Sequence, residues 1–215
     1  MLRVAYIDHT ARWSGGEVAL YNLLTHLNRK VDPLVVLAED GVLAERLRER
    51  GIDVRIVPLA EDVRNRNRNA VNLQAVYAAW RLLAYGRTLA RLLKKERAAC
   101  VHTNSLKSAL YGAVAAKLAG IPLVWHIRDH IGAPYLKPAV ASAIRLLTRA
   151  VPSGVIANSQ STLRALQLPD TKKTLVVHSS YAKEFGHPNR VTNAGRAFVV
   201  LLVGRLAEWK GQHVL

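Results

Sequence analysis

Apolar residues fall along the chain in two alternating patterns. Short apolar runs rich in β-branched residues, such as Leu34-Val35-Val36-Leu37, are bounded by turn residues and read as strands. Between them lie longer stretches with apolar positions every three or four residues, which read as helices. Strands are expected at 3–7, 33–37, 53–57, 100–103, 123–127, 154–157 and 174–177, and helices at 17–27, 42–50, 72–97, 107–119, 138–149 and 161–166. Most of these strands carry consecutive apolar residues rather than a strict apolar–polar alternation, as expected where helices cover both faces of a parallel sheet. Gly51 and Gly120 lie just beyond two of the helices, where a C-terminal glycine belongs. The alternation of strand with helix predicts an α/β architecture with a parallel sheet.

After Val177 the pattern changes. Residues 179–197 are rich in Gly, Pro, Asn, Ser and Lys without a clear period, which reads as an interdomain linker. A new strand is expected at 198–203, followed by Gly204-Arg205 and Lys210-Gly211, with a helix starting as the sequence reaches Leu215. The expected organisation is a complete domain over 1–178, a linker over 179–197, and the start of a second domain over 198–215. The tract Arg64-Asn65-Arg66-Asn67-Arg68-Asn69 is too polar to pack and reads as an exposed, mobile loop.

Composition narrows the partner. The chain has 215 residues, half of them hydrophobic (50%), enough for a full-sized core and against collagen-like, disulfide-scaffold or disordered classes. A formal net charge of +16 points to an anionic partner such as phosphate, nucleic acid or an acidic membrane. The single cysteine, Cys100, lies in an apolar stretch and reads as a small buried core residue in a reducing compartment. No signal-peptide pattern precedes Asp8, and Lys117 with Gly120-Ile121-Pro122 divides the apolar stretch 108–127 into a helix and a strand, so a cytoplasmic protein is expected.

Four constellations can carry chemistry. Ser14-Gly15-Gly16-Glu17, between the first strand and first helix, suits phosphate, because bare backbone N–H groups and a helix N-terminus would face the same point. A tight strand–helix turn with Ser14 as N-cap and Glu17 in the first turn would use the same residues. Gly204-Arg205 and Lys210-Gly211 follow a strand, where a guanidinium fork and a flexible ammonium suit a diphosphate; an ordinary basic loop is the alternative. Trp125-His126-Ile127-Arg128-Asp129-His130 ends a strand on the side where parallel sheets bind ligands, with His126 and Asp129 as candidates. His-Glu-x-x-His and Asp-x-Asp are both absent, so no metal is expected.

The fourth is the helix 72–97. At about 100° per residue, Ala78, Leu82, Tyr85, Leu89, Leu92 and Leu93 form one stripe. Arg87, Arg91, Lys94 and Lys95 fall opposite, with Trp80, Tyr77 and Val76. Residues 61–97 hold nine Lys or Arg against three acids, so the second face suits either anionic lipid or plain solvent.

Together these motifs resemble the group 1 glycosyltransferases, glycosyltransferase family 4. The resemblance is carried by Ser14-Gly15-Gly16-Glu17, by His102-Thr103-Asn104-Ser105 leading into Ala115–His126, by Val155-Ile156-Ala157-Asn158-Ser159, and by Val203-Gly204-Arg205-Leu206 with Lys210-Gly211. It implies a Rossmann-like doubly wound parallel sheet as the N-terminal, acceptor-side half of a two-domain GT-B fold. It further implies a retaining, metal-independent transfer from a nucleotide-diphosphate sugar to a glycan or lipid-linked acceptor in cell-envelope or polysaccharide synthesis.

By the family pattern Arg205 and Lys210 would hold the leaving diphosphate, with Gly15 and Gly16 against donor phosphates or acceptor. His126 would contact the transferred sugar as the catalytic candidate; Glu17, Asp129, Ser159 and Gly204 would support the site. The family's Glu-x7-Glu motif is not found, and His178-Ser179-Ser180-Tyr181 stands where many relatives have an Asn-Gly turn. The 215-residue chain is therefore expected to need a C-terminal domain, or a separate partner chain, for turnover. Alternatives are a non-catalytic basic module on anionic membrane or polymer through Trp80, Arg87, Arg91, Lys94 and Lys95, and another nucleotide-sugar enzyme of this fold such as an epimerase. Specific nucleic-acid binding has no recognition motif to support it.

Overall fold

The computed structural model describes residues 1–59, 75–132, 135–180, 201–202, 204 and 212–214, with only the backbone given for 75–79. Strands β1 (Leu2–Asp8), β2 (Val31–Leu37), β3 (Asp53–Ile56), β4 (Cys100–Thr103), β5 (Leu123–Ile127), β6 (Gly154–Ala157) and β7 (Thr174–Val176) pair in parallel. Their order is β3-β2-β1-β4-β5-β6-β7. Helices α1 (Gly15–Thr25), α2 (Val42–Glu49), α3 (Ala75–Lys95), α4 (Leu106–Ala119), α5 (Pro138–Ala150) and α6 (Gln160–Ala165) connect them. This is the α/β, Rossmann-like parallel sheet that the sequence predicts, with boundaries displaced by two residues or fewer wherever both ends are described.

The sheet is covered on both faces because its strands are apolar on both. Val4 and Tyr6 of β1 pack with Leu20 and Leu24 of α1 and Leu43 and Leu47 of α2. Ala5 and Ile7, the alternate residues, face the other cluster, with Leu89 and Leu93 of α3 and Tyr111 and Ala115 of α4. Gly86 lets α3 lie close on α4, since a Cβ there would fall 2.5 Å from a methyl of Val114. Gly51 and Gly120 end α2 and α4 with φ of 71° and 74°, a backbone that glycine adopts without steric cost. At the amino ends of the strands, Arg3 ties three elements together through Asp32 (2.7 Å), Asp53 (2.7 Å) and Glu96 (2.9 Å).

Three expectations need correcting. Cys100 is half-buried at the edge of the α1–α2 cluster rather than fully buried, with its thiol pKa raised by what burial there is. The first helix starts at Gly15, not residue 17, so both glycines form its first turn. Of the strand expected at 198–203 only Leu201 and Leu202 are described, and neither is in a strand; they are 81% and 46% exposed. The Arg/Asn tract 64–69 and nearly all of the expected linker lie outside the described residues.

Strand order reverses between β1 and β4: β2 and β3 extend from one side of β1, and the chain then returns to place β4 on the other. The carboxyl ends of β1 and β4 therefore flank a crevice, the place where an open parallel sheet binds its ligand.

Candidate functional site

Residues at the carboxyl ends of four strands meet over that crevice. Asp8, the last residue of β1, is completely buried and accepts from the His9 backbone N–H (2.7 Å), His9 Nδ1 (2.9 Å), Ser105 Oγ (3.0 Å) and Asn104 Nδ2 (2.6 Å). Asn104, just after β4, also donates to the Gly16 carbonyl (3.2 Å) and accepts from Arg128 Nε (2.9 Å). Asn158, just after β6, donates to the Arg128 carbonyl (3.1 Å). One amide, that of Asn104, thus links β1, the glycine turn and the residue after β5. Ser105 and Ser108 cap α4 reciprocally, which fixes the loop carrying Asn104.

Above this floor is a cleft of about 940 Å³, whose lining includes His9, Gly15, Gly16, Glu17, Arg128 and Asp129. Gly15 and Gly16 have no left-handed φ, and a Cβ built on either would meet nothing within 4 Å. Neither the turn nor the packing requires glycine there, which removes the purely structural explanation for the pair. Ser14 occupies the N-cap position, but its hydroxyl bonds the Glu17 carboxyl instead of a backbone N–H. Glu17 is buried, and desolvation together with the charge of Asp8 raises its pKa. Asp129 accepts from Tyr135 Oη (2.7 Å).

His126 is placed differently from the expectation. It is 3% exposed, below the lining rather than in it, with Nδ1 3.2 Å from His102 Nε2. Arg128 can only donate, so its approach to Nδ1 (3.4 Å) puts the ring hydrogen on Nε2. Among the described residues that Nε2 has no hydrogen-bond partner. Burial, with the Arg128 charge adding to it, pushes the pKa of His102 down to about 4 and that of His126 down to about 2. Both rings are neutral at physiological pH.

Ser159 has a structural task, since its Oγ accepts from the Thr162 N–H (3.1 Å) as N-cap of α6. Gly204 lines the cleft, whereas Arg205 and Lys210 lie outside the described residues. On α3, Arg87, Arg91, Lys94 and Lys95 are exposed and Trp80 is 66% exposed. Among the described residues no three His, Cys, Asp or Glu side chains are grouped to hold a metal ion, and no helix is long and apolar enough to cross a membrane. Sequence reasoning gave no role to Asp8, His9, Asn104, Arg128 or Asn158. The available signal is positional: each is the last residue of a parallel strand or one of the first beyond it.

The fold is an open parallel α/β domain with a cleft where strand order reverses, the place where sheets of this kind bind ligands. The chain belongs to the glycosyl transferase 4-like domain family, whose sequence model matches residues 14–179. It is 51% identical over 39 residues, 18% of this chain and 10% of the relative, to the UDP-Gal:alpha-D-GlcNAc-diphosphoundecaprenol alpha-1,3-galactosyltransferase of Escherichia coli. Anabaena Alr3699/HepE, solved in complex with UDP-glucose, shares the fold with a TM-score of 0.71 at 20% identity, over 100% of this chain and 56% of that one. UDP-N-acetylglucosamine 2-epimerase from Rickettsia bellii gives a TM-score of 0.53 at 18% identity, over 81% of this chain and 44% of that one. The chain spans about half the length of these solved structures, and its sheet is the kind found in one half of a GT-B fold.

Proposed function

We propose that the protein is a retaining, metal-independent glycosyltransferase moving a sugar from a nucleotide-diphosphate sugar to an acceptor hydroxyl. Residues 1–178 would form the acceptor-side domain, 179–197 the linker, and 198–215 the opening of the donor domain. The observation that carries this reading is the pair Gly15-Gly16, open backbone in the first turn of α1 facing the cleft, with no structural demand for glycine. A diphosphate seated there would gain the N–H groups and positive end of the helix.

In transfer, negative charge grows on the leaving diphosphate as the glycosidic C–O bond breaks. Arg205 and Lys210 are proposed to stabilise that charge, so that catalysis is chiefly electrostatic. The buried, unpartnered Nε2–H of His126 is the donor proposed for a hydroxyl of the transferred sugar; the cleft floor beside Arg128 would have to open for that contact. A UDP-sugar donor and a lipid-linked, diphosphate-bearing acceptor are the first substrates to try, being those that the Escherichia coli relative is named for. With such an acceptor the reaction would serve cell-envelope glycan synthesis, with the protein on the cytoplasmic side of a membrane.

The test is Gly16→Ala in the full-length protein. A methyl over the phosphate seat should weaken UDP-sugar binding about tenfold or more, read by calorimetry. Unchanged affinity would remove the glycine turn from the donor site.

A second reading is membrane contact through α3, compatible with the first. It is favoured by the joint exposure of Trp80, Leu83 and the four cations on that helix.

A further inference from the structure

Arg128 is a half-buried guanidinium in the cleft lining, and its described partners are all uncharged. Nε donates to Asn104 Oδ1 (2.9 Å), one terminal nitrogen donates to Ser179 Oγ (3.2 Å), and the other approaches the neutral His126 ring (3.4 Å). Among the described residues no carboxylate lies within ion-pair distance of it. The acids whose charge reaches it are Asp8 and Glu17. The Asp8 carboxylate is already occupied by four hydrogen bonds, and burial makes Glu17 hold its proton more readily. Partial removal of a cation from water without an anionic partner is costly, and the positions of these acids do not offset it. A fold that holds a guanidinium fork in this way, at the carboxyl end of a central strand, has fixed it for an incoming anion.

The neighbouring surface specifies which anion. Asn104 bonds Arg128 through Oδ1 and Gly16 through Nδ2, so the guanidinium and the open glycine turn sit on opposite atoms of one amide. A phosphoryl group has enough oxygens for both, a bidentate pair for the fork and another for backbone N–H groups. We infer that Arg128 is a phosphate ligand of the cleft, taking a phosphoryl group of a bound substrate. Two sources share this chemistry: the diphosphate of the donor and a phosphate carried by the acceptor. The inference rests on the reading of the cleft as the seat of these substrates.

The test begins with inorganic pyrophosphate titrated into the protein, followed by NMR of the arginine side-chain N–H groups and by calorimetry. Arg128→Gln should weaken binding about tenfold, and Arg128→Lys, which keeps charge but loses the fork, should fall between. Arg91→Gln, at an exposed cation on α3 away from the cleft, should stay within about twofold. Melting temperatures confirm that each variant is folded. Equal affinity in folded Arg128→Gln and the unaltered protein, or no wild-type binding at millimolar pyrophosphate, overturns the inference.

In the full-length protein, Arg128→Gln then separates the sources. A raised Kd for UDP assigns the donor diphosphate. A raised KM for a phosphate-bearing acceptor, with UDP affinity unchanged, assigns the acceptor. No change in either overturns the assignment. Because the pyrophosphate titration needs no turnover, binding through Arg128 without any transfer product would sink the proposed activity and leave this site standing.

Discussion

Gly16→Ala should change stability and binding in opposite senses. Nothing lies within 4 Å of the added methyl, and alanine restricts the unfolded chain, so the folded state should gain a few tenths to about 1 kcal/mol. Thermal melting checks this: a lower Tm would mean that the turn needs glycine after all, and the weakened donor binding would lose its meaning. The glycine pair and Glu17 were legible because they form a compact motif between a strand and a helix. Asp8, Asn104 and Arg128 were not, although two of them stood inside motifs already noted. A single polar residue after a strand looks like any turn residue. Only the return of β4 to the side of β1 brings Asn104 within 2.6 Å of Asp8, 96 positions away in the chain. The burial of His126 was not legible for a related reason: strand alternation gives its face, but not that Arg128 and His102 enclose it.

The elements themselves were readable because their signals are local. Strands β4, β5 and β6 coincide with the apolar runs residue for residue, and the α3 stripe of Tyr85, Leu89 and Leu93 is buried as its period requires. On the opposite face of α3, periodicity shows that the cations are exposed without showing what they meet. If that face lies on lipid, the protein should float with vesicles containing anionic phospholipid and not with neutral ones. Neutralising Arg87, Arg91, Lys94 and Lys95 together should abolish flotation, each cation near the surface being worth about 1 kcal/mol. Flotation that survives the fourfold change would transfer the contact elsewhere, and its absence from the unaltered protein would leave α3 with a solvated face.

At the scale of the whole molecule, the buried His102–His126 pair sets a pH dependence of folding. Both rings stay neutral in the folded chain, whereas unfolded histidine titrates near 6.5. Below that pH the unfolded state takes up protons that the folded state refuses, so stability falls as pH drops from about 6.5 towards 4. The slope is up to about 1.4 kcal/mol per pH unit for each ring. Glu17, with its raised pKa, works in the opposite sense, as one group against two. Urea midpoints at pH 7.5, 6 and 5 should therefore decline, and a flat series would contradict the buried, neutral pair. The parallel sheet follows from the alternation of strands and helices, but its order, and hence the crevice, depends on long-range pairing that no local pattern encodes.

The activity proposed for this crevice is sugar transfer from a nucleotide-diphosphate donor. The most direct test incubates the full-length protein with a UDP-sugar, a diphosphate-linked lipid acceptor and EDTA, and identifies the product by mass and anomeric configuration. The expected product is an acceptor heavier by one sugar, with the donor's anomeric configuration retained. Recovery of only epimerised or untouched UDP-sugar, with the acceptor unchanged across a panel of donors, would contradict it.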